Sequence, residues 1–163
     1  MRAVIQRVLE ASVEWPQGRA AIGPGYLILL GVAESDTEQD ADRLAEKIVK
    51  LRVFSDENGK FNFDARQVGA QFLVVSQFTL FADARGQNRP SFLSAARPEL
   101  GIQMLERFCA ALRGTGALVE TGSFGAQMRV SLINDGPVTL VLSTDPWDPR
   151  IVRSSPPQEA RSG

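Results

Sequence analysis

The chain has 163 residues, of which 44% are hydrophobic and 23% charged, and its formal net charge is −1. This size predicts a single domain with its own core, and the near-neutral charge excludes a broad basic surface for nucleic-acid backbones. The chain contains no histidine and one cysteine. Histidine-based triads and histidine metal sites are therefore excluded within one chain, and no metal or cofactor is expected.

The N-terminal segment is predicted to form strands. Valines alternate with polar residues over 3–15, which predicts two strands or one bent strand, followed by a turn at Pro16–Arg19. Tyr26–Val32 is an apolar run behind a Gly-Pro-Gly turn and predicts a buried strand. No secretory leader pattern precedes these strands, and the apolar runs are too short to cross a bilayer. A cytoplasmic protein without membrane association is expected.

Two amphipathic helices are predicted. In SDTEQDADRLAEKIVKLRVF, apolar residues recur at helical spacing from Ala41 to Leu51, with acids gathered at the start and basic residues at the end. In RPELGIQMLERFCAALRGTG, Pro98 suits the first turn of a helix and Gly114 suits its end. Cys109 lies on the apolar face of this second helix, where it is interpreted as an inert core residue.

The run AQFLVVSQFTLF predicts a central strand that ends near Leu80. Alternate residues of a strand face opposite sides, so Gln77 and Thr79 would share one face. Polar side chains in a buried strand need hydrogen-bond partners or an opening to solvent. Two interpretations remain open. Ser76, Gln77 and Thr79 either line a site whose backbone N–H groups face an oxyanion, or mark the strand leaving the core.

The segment SLINDGPVTLVLS predicts two closing strands interrupted at Asn134–Pro137. Asn-Asp-Gly-Pro is a strong turn former, so a plain hairpin is one interpretation. The other is a functional cis Gly-Pro bond, which would point two successive carbonyls in nearly the same direction. Beyond Ser143 the sequence becomes rich in proline and polar residues. We therefore expect a domain at 1–143 and a flexible tail at 144–163.

Together, SQFTL at Ser76–Leu80 and NDGPVT at Asn134–Thr139 resemble the two signature motifs of D-aminoacyl-tRNA deacylases. The resemblance extends through VIQRVLEASV, LILLGV, FSDENGK, RPSF and VSLINDGPVTL in the family's order, and it covers about 1–143. It implies a mixed α/β fold of layered sheets with two main helices on one side, in a three-layer arrangement. The sequence departs from the family's pattern in the hairpin at 14–22 and at Phe61, where methionine is common.

The resemblance implies a homodimeric enzyme that cleaves the ester between a D-amino acid and the 3′-terminal adenosine of tRNA. It also implies removal of glycine mischarged on the tRNA for alanine. The expected partners are the aminoacyl-tRNA 3′ end and a second subunit, and no DNA partner is expected. A cis Gly136-Pro137 bond would reject L-amino acids in the partner subunit's site, supported by Arg7. The residues that the resemblance marks as catalytic are Ser76, Gln77, Phe78 and Thr79.

Several alternatives remain open at this point. Thr79 could attack the ester as a nucleophile, although the chain supplies no histidine as its base. We favour the other mechanism, in which the 2′-hydroxyl of the terminal ribose assists a water molecule and main-chain N–H groups near Phe78 and Thr79 polarise the ester. Arg7 could instead merely pair with an acid on the dimer surface. The alternative functions are a related L-alanyl-tRNA editing deacylase and a catalytically silent nucleic-acid-binding protein.

Overall fold

A computed structural model describes residues 1–86 and 88–146. The helices are Glu38–Val49 (α1) and Pro98–Arg113 (α2), and Phe78–Phe81 forms a 3₁₀ turn. None of the described helices is both long and apolar enough to cross a membrane. The strands are Arg2–Trp15 (β1), Gly18–Ile22 (β2), Gly25–Gly31 (β3), Phe54–Ser55 (β4), Phe61–Phe63 (β5), Gln71–Ser76 (β6), Val119–Thr121 (β7) and Arg129–Ser143 (β8).

Strand β1 is the centre of the main sheet. It pairs antiparallel with β8 over almost its whole length, so β2 and β3 share its other edge. Strand β3 then pairs in parallel with β6, and β6 pairs in parallel with β7. Within the described chain, β8 pairs with no strand other than β1. A 15-residue strand therefore has one unpaired edge.

Both helices pack on the same face of this sheet, which confirms the predicted mixed α/β class with two helices on one side. Their buried residues join Ile5, Tyr26 and Ile28 in one core cluster. A second cluster lies on the opposite face, where β2 and the far half of β1 fold across β6 and bury Val13 and Leu73. The helices, the β3–β6 region and the folded-over β1–β2 region form three layers around two cores.

The helix boundaries follow the predicted signals. Thr37 caps α1: its hydroxyl accepts from the Asp40 N–H, and the Asp40 carboxylate accepts from the Thr37 N–H at 2.9 Å. Reciprocal caps of this kind satisfy N–H groups that the helix itself leaves unpaired. In α2, Pro98 occupies the first turn and Gly114 is the C-cap, as predicted. Leu51, predicted on the apolar face of the first helix, lies just beyond its end and packs partly buried on the core.

The prediction of a strand reaching Leu80 is wrong. Strand β6 ends at Ser76, opposite Leu30 near the end of its parallel partner β3. Beyond β3 the Val32 carbonyl accepts from the Ala96 N–H at 2.9 Å, so it bonds that segment and not a continuation of β6. The last contact is the Gln77 N–H donating to the Leu30 carbonyl at 2.8 Å. Beyond it the backbone forms local bonds instead, with the Ala82 N–H donating to the Thr79 carbonyl at 3.0 Å. The argument that Gln77 and Thr79 share a strand face therefore does not hold.

The hairpin interpretation of SLINDGPVTLVLS is also wrong. The segment belongs to one strand, β8, and both of its halves pair with β1: Asn134 lies opposite Val8, and Thr139 lies opposite Gln6. Residues 135–138 therefore bulge out of the ladder. The side chain of Asn134 closes the bulge, because its Oδ1 accepts from the Val138 N–H at 2.9 Å. The turn-forming residues build a bulge rather than a reversal of the chain.

The predicted tail at 144–163 lies outside the described residues from 147 onward, so its flexibility stays a prediction. Its first residues contact the N-terminal strand. The Thr144 N–H donates to the Met1 carbonyl at 3.0 Å, and the Asp145 carboxylate pairs with Arg2 at 3.0 Å. The segment that follows β8 is thus held beside the start of β1.

Candidate functional site

The 3₁₀ turn lies directly against the end of β3, at Gly31. A Cβ atom at residue 31 would be 3.0 Å from the Gln77 carbonyl oxygen and 3.1 Å from the Leu80 Cβ. Separations this short force a shift of backbone or packed side chains. Glycine at position 31 therefore allows the SQFTL segment to pack tightly on the sheet.

A cavity of about 290 Å³ opens beside this segment. Its lining includes Ser76, Gln77 and Phe78, together with the apolar side chains of Phe124 and Met128. Cavities near this size with mostly apolar walls and a few polar groups are typical of small-ligand sites. Three of the four residues predicted to be catalytic thus line one cavity.

Thr79, which follows the lining residue Phe78, does not line the cavity and is exposed. Its hydroxyl oxygen accepts a hydrogen bond from the Gln77 side-chain amide. An amide donor cannot remove a proton from a hydroxyl, so this contact orients Thr79 without activating it. The side-chain geometry does not supply the base that a threonine nucleophile requires.

The first N–H groups of the 3₁₀ turn belong to Phe78 and Thr79. Backbone N–H groups at the start of such a turn have no acceptor within the turn. The side chain of Gln77, at the N-cap position, does not accept a hydrogen bond from them. The Phe78 ring is 59% exposed and packs edge-on against Phe92, with ring centroids 5.1 Å apart. The turn therefore presents backbone donors beside an exposed aromatic ring.

The Gly136-Pro137 bond is cis, and both residues are exposed on the bulge of β8. Gly136 has a φ of +133°, a region that favours glycine. A Cβ atom there would lie 2.9 Å from the Val138 side chain and 3.1 Å from Arg7 Nη2. Backbone conformation and close packing both restrict position 136 to glycine.

Arg7 is the buried charge behind this bulge, with 7% of its surface exposed. Its Nε donates to the Asp135 carbonyl at 3.0 Å and lies 3.1 Å from the Asp135 carboxylate. Its Nη1 donates to the Val53 carbonyl, and its guanidinium lies 5.7 Å from the centre of the Phe61 ring. Arg7 therefore contacts the Gly-Pro bulge and pairs with the acidic residue Asp135 within it, while its role in a site stays a prediction.

The neighbouring Tyr26 does not supply a base. Its hydroxyl is buried without a hydrogen-bond partner among the described residues. Burial raises the pKa of Tyr26 well above its ordinary value, against the opposing effect of the Arg7 charge. The phenol is therefore protonated at neutral pH. In the described part of the chain, moreover, no three acidic, cysteine or histidine side chains are grouped to hold a metal ion.

The structure does not bring the two predicted groups of site residues together within one chain. Gly136 and Pro137 do not line the cavity beside Ser76. The 3₁₀ turn contacts Arg2 and the bulge contacts Arg7, and these arginines are five positions apart on β1. At about 3.3 Å per residue this spacing amounts to roughly 16 Å along the strand.

Sequence reasoning missed two contributors to the site, Val53 and Arg2. Phe61 was noted only as a departure from the family's pattern, and its ring lies beside Arg7 on β5. Val53 lies just before β4, and its carbonyl accepts from Arg7. Arg2 contacts the 3₁₀ turn through the Leu80 carbonyl at 2.9 Å. No local pattern marks these residues, because their partners are distant in the sequence.

Comparison with known proteins identifies the family of this chain. The model of the D-Tyr-tRNA(Tyr) deacylase family matches residues 4–143. A D-aminoacyl-tRNA deacylase of Chloroflexus aurantiacus is 58% identical over 145 residues, covering 88% of this chain and 91% of that protein. A D-aminoacyl-tRNA deacylase of Thermus aquaticus is 53% identical, covering 88% of this chain and 95% of that protein.

Two solved structures share the fold. One, a c-Myc DNA unwinding element binding protein, is 40% identical with a TM-score of 0.82, covering 89% of this chain and 99% of that chain. The other, described as a probable eukaryotic D-amino acid tRNA deacylase, is 14% identical with a TM-score of 0.74, covering 86% and 97%. At that identity the second likeness concerns the fold alone. The family model and the relatives at more than 50% identity together show that this chain belongs to the D-Tyr-tRNA(Tyr) deacylase family.

Proposed function

We propose that this chain hydrolyses the ester that joins a D-amino acid to the 3′-terminal adenosine of tRNA, releasing the free amino acid and the tRNA. The strongest support is the 58% identity to a protein named D-aminoacyl-tRNA deacylase, over 88% of this chain. Because the chain contains no histidine, the proposed hydrolysis uses no histidine base. Aminoacyl-tRNA is present in the cytoplasm, and we propose that the reaction takes place there.

The cavity beside Ser76–Phe78 is the proposed binding site for the 3′ end. Its volume of about 290 Å³ suits a single nucleoside better than a folded RNA element. Its apolar wall and the exposed Phe78 offer flat surfaces for a base. Holding only the terminal nucleotide also agrees with a formal net charge of −1, since a large phosphate footprint needs many basic residues.

The proposed chemistry is attack of water on the ester carbonyl, assisted by the 2′-hydroxyl of the terminal ribose. The N–H groups of Phe78 and Thr79 would stabilise the negative charge that develops on the carbonyl oxygen. Thr79 would orient the site through its contact with Gln77 rather than attack the ester. The amino acid then leaves as a carboxylate, and the tRNA recovers its terminal hydroxyl.

Selection of the D-enantiomer is assigned to Gly136 and Pro137, with Arg7 as their support. Their carbonyls would accept hydrogen bonds from the substrate's ammonium group, and the rigid backbone would leave no space for an L side chain. Glycine has no side chain to be rejected, so glycyl-tRNA, including glycine mischarged on the tRNA for alanine, is a further proposed substrate. Because the bulge lies far from the cavity of its own chain, we assign it to the site of a second subunit.

A homodimer would complete the site, and two features of the sheet support it. The outer edge of β8 is unpaired in the described chain, and unpaired edges of this length are usually covered. Val4 lies beside Leu29 on one side and beside Val141 on the other, so the three side chains form a row on one sheet face. Val141 is 49% exposed. A second copy packed on this apolar row would cover it.

The test is release of tyrosine from D-tyrosyl-tRNA and L-tyrosyl-tRNA, with glycyl-tRNA for alanine as a third substrate. We expect hydrolysis of the D-ester and the glycyl ester, and at least about a hundredfold slower hydrolysis of the L-ester. Preferred hydrolysis of an L-alanyl ester would instead favour the editing relative. Binding of tRNA without hydrolysis of any ester would favour a silent nucleic-acid-binding protein and overturn the proposal.

A further inference from the structure

We propose that Arg2 is a positioning residue for the reaction, holding the 3₁₀ turn so that its N–H groups face the ester carbonyl. The inference rests on the proposed function for its substrate but on separate contacts for its geometry. Arg2 does not line the cavity, so it would act through the turn rather than on the substrate. In this role it parallels Arg7, which contacts the Gly-Pro bulge from the same strand.

Arg2 holds the C-terminal end of the turn in two ways. Its Nη1 donates to the Leu80 carbonyl at 2.9 Å, and its guanidinium lies 4.2 Å from the centre of the Phe81 ring. Phe81 is 3% exposed, so its ring is a fixed surface for the guanidinium. One planar group therefore fixes both the backbone and a buried side chain of the SQFTLF segment.

The register of the sheet explains why a side chain at position 2 can contact the end of the 3₁₀ turn. Arg2 lies directly opposite Gly31, the residue whose missing side chain allows the turn to approach. At its other end, the turn begins with the Gln77 N–H bound to the Leu30 carbonyl at 2.8 Å. The four-residue turn is thus held at both ends, by β3 at its start and by Arg2 at its finish.

Asp145 orients Arg2 in turn. Its carboxylate pairs with Arg2 Nη2 at 3.0 Å and also accepts from the Ser143 hydroxyl. The Arg2 side chain is 14% exposed and the Asp145 side chain 34%, so solvent screens this pair only in part. The residues that follow β8 therefore contribute to the position of the catalytic segment.

Loss of Arg2 should affect the chemical step more than substrate binding. A shift of a few tenths of an ångström in the Phe78 and Thr79 N–H groups weakens contacts that matter in the transition state. The cavity is also lined by Phe124 and Met128, which lie outside the turn, so binding of the 3′ end should persist. Lysine in place of Arg2 keeps the charge but cannot contact the carbonyl, the ring and the carboxylate with one planar group.

The experiment compares the intact protein with Arg2→Met, Arg2→Lys and Asp145→Asn. The matched control is Arg113→Met, because Arg113 also donates to a backbone carbonyl, that of Val119 at 3.3 Å, away from the cavity. Steady-state kcat and KM are measured on D-tyrosyl-tRNA. Hydrogen exchange of backbone amides is measured over 76–82 and over α1.

We expect Arg2→Met to lower kcat about tenfold or more while KM stays within about twofold of that of the unmodified protein. Arg2→Lys should lower kcat less than Arg2→Met does. Asp145→Asn should lower kcat about threefold. Exchange should rise in 76–82 but not in α1, and Arg113→Met should leave both measurements unchanged. Unchanged kcat and exchange in a folded Arg2→Met protein would overturn the inference. If Arg2→Met does not fold, the same outcome for Asp145→Asn would do so.

The two proposals fail in different ways. If the unmodified protein hydrolyses none of the three aminoacyl esters, the proposed function fails. The exchange measurement then still decides whether Arg2 holds the turn, because it requires no substrate. If the unmodified protein is active and the Arg2 variants match it, only the inference fails.

Discussion

The Nε atom of Arg7 donates a hydrogen bond to the carbonyl oxygen of Asp135 at 3.0 Å, which joins the centre of β1 to the bulge in β8. The two residues are 128 positions apart in the sequence. Since the following residue, Gly136, lies against Arg7 Nη2, the arginine limits how the bulge can move. The proposed selection by backbone shape needs such a limit, because a mobile loop would admit both enantiomers.

Replacing Arg7 with lysine should reduce chiral selection. Lysine retains the charge, but it cannot bind the carbonyls of Asp135 and Val53 together with the Asp135 carboxylate. We expect a loss of about 1–3 kcal/mol in the free energy of unfolding and a D-to-L selectivity lowered about tenfold. The measurements are chemical denaturation and hydrolysis of both tyrosyl-tRNA enantiomers. Arg129→Lys is the control, since that side chain is 85% exposed.

An unchanged enantiomer ratio in folded Arg7→Lys protein would show that the bulge keeps its position without Arg7.

Adding one methyl group at Gly31 should displace the SQFTL segment. The new Cβ would lie within 3.1 Å of Leu80 and Phe81 atoms, and 3.0 Å from the Gln77 carbonyl oxygen. We expect Gly31→Ala to destabilise the protein by about 1–3 kcal/mol and to reduce kcat about tenfold. Gly23→Ala is the control, because its nearest neighbour is a side-chain atom of Gln71 at 3.7 Å. Equal effects of the two changes on thermal stability and kcat would contradict this packing argument.

The mechanism predicts that Thr79→Ala remains active. The Thr79 hydroxyl accepts from the Gln77 amide and has no base in the described structure to activate it. We expect its single-turnover rate to stay within about tenfold of that of the unmodified protein. A D-tyrosyl-tRNA that lacks the terminal 2′-hydroxyl should react at least about a hundredfold more slowly.

Complete inactivity of folded, dimeric Thr79→Ala, with normal hydrolysis of the 2′-deoxy substrate, would instead identify Thr79 as the nucleophile.

A charge on the apolar row of the sheet should prevent dimer formation. Val141 and Leu118 are both 49% exposed, but only Val141 belongs to the row beside Val4 and Leu29. We expect Val141→Glu to lower the mass measured by light scattering to that of a monomer, because a buried unpaired carboxylate is costly. Activity should fall with it, since the partner's bulge would be lost. Leu118→Glu should change neither, and a dimeric Val141→Glu protein would place the interface elsewhere.

Cys109 should resist thiol reagents in the folded protein. It is 2% exposed, and desolvation raises the pKa of its thiol from an ordinary value of 9.0 to about 11. At pH 8 the thiol is protonated and inaccessible. One thiol per chain should therefore react with a chromogenic disulfide reagent, and only after denaturant is added. Because the folded pKa is the higher one, the associated stability is present below pH 9 and is lost towards pH 11. Rapid labelling at pH 8 without denaturant would contradict this burial.

Local patterns were sufficient for much of the fold. Helical spacing and end signals predicted α1 and α2, including Pro98 at the start and Gly114 at the end, because those preferences depend on neighbouring residues. The strand at Tyr26–Val32 was predicted for the same reason, and of the two alternatives for the N-terminal segment, two strands or one bent strand, the structure has a single strand. The motifs around Ser76 and Pro137 indicated the family, which the comparisons confirm.

Long-range pairing decided the rest. The strand predicted to reach Leu80 ends at Ser76, opposite Leu30 near the end of β3, and no pattern within SQFTL records where its partner stops. Asn134–Pro137 has the composition of a hairpin turn, yet it forms a bulge, because β1 is long enough to pair with both halves of β8. The positions of Arg2 and Arg7 against the two motifs likewise depend on sheet register. The local sequence determines which residues favour a turn or can form hydrogen bonds. Strand pairing determines whether those residues form a hairpin or a bulge and which groups they contact.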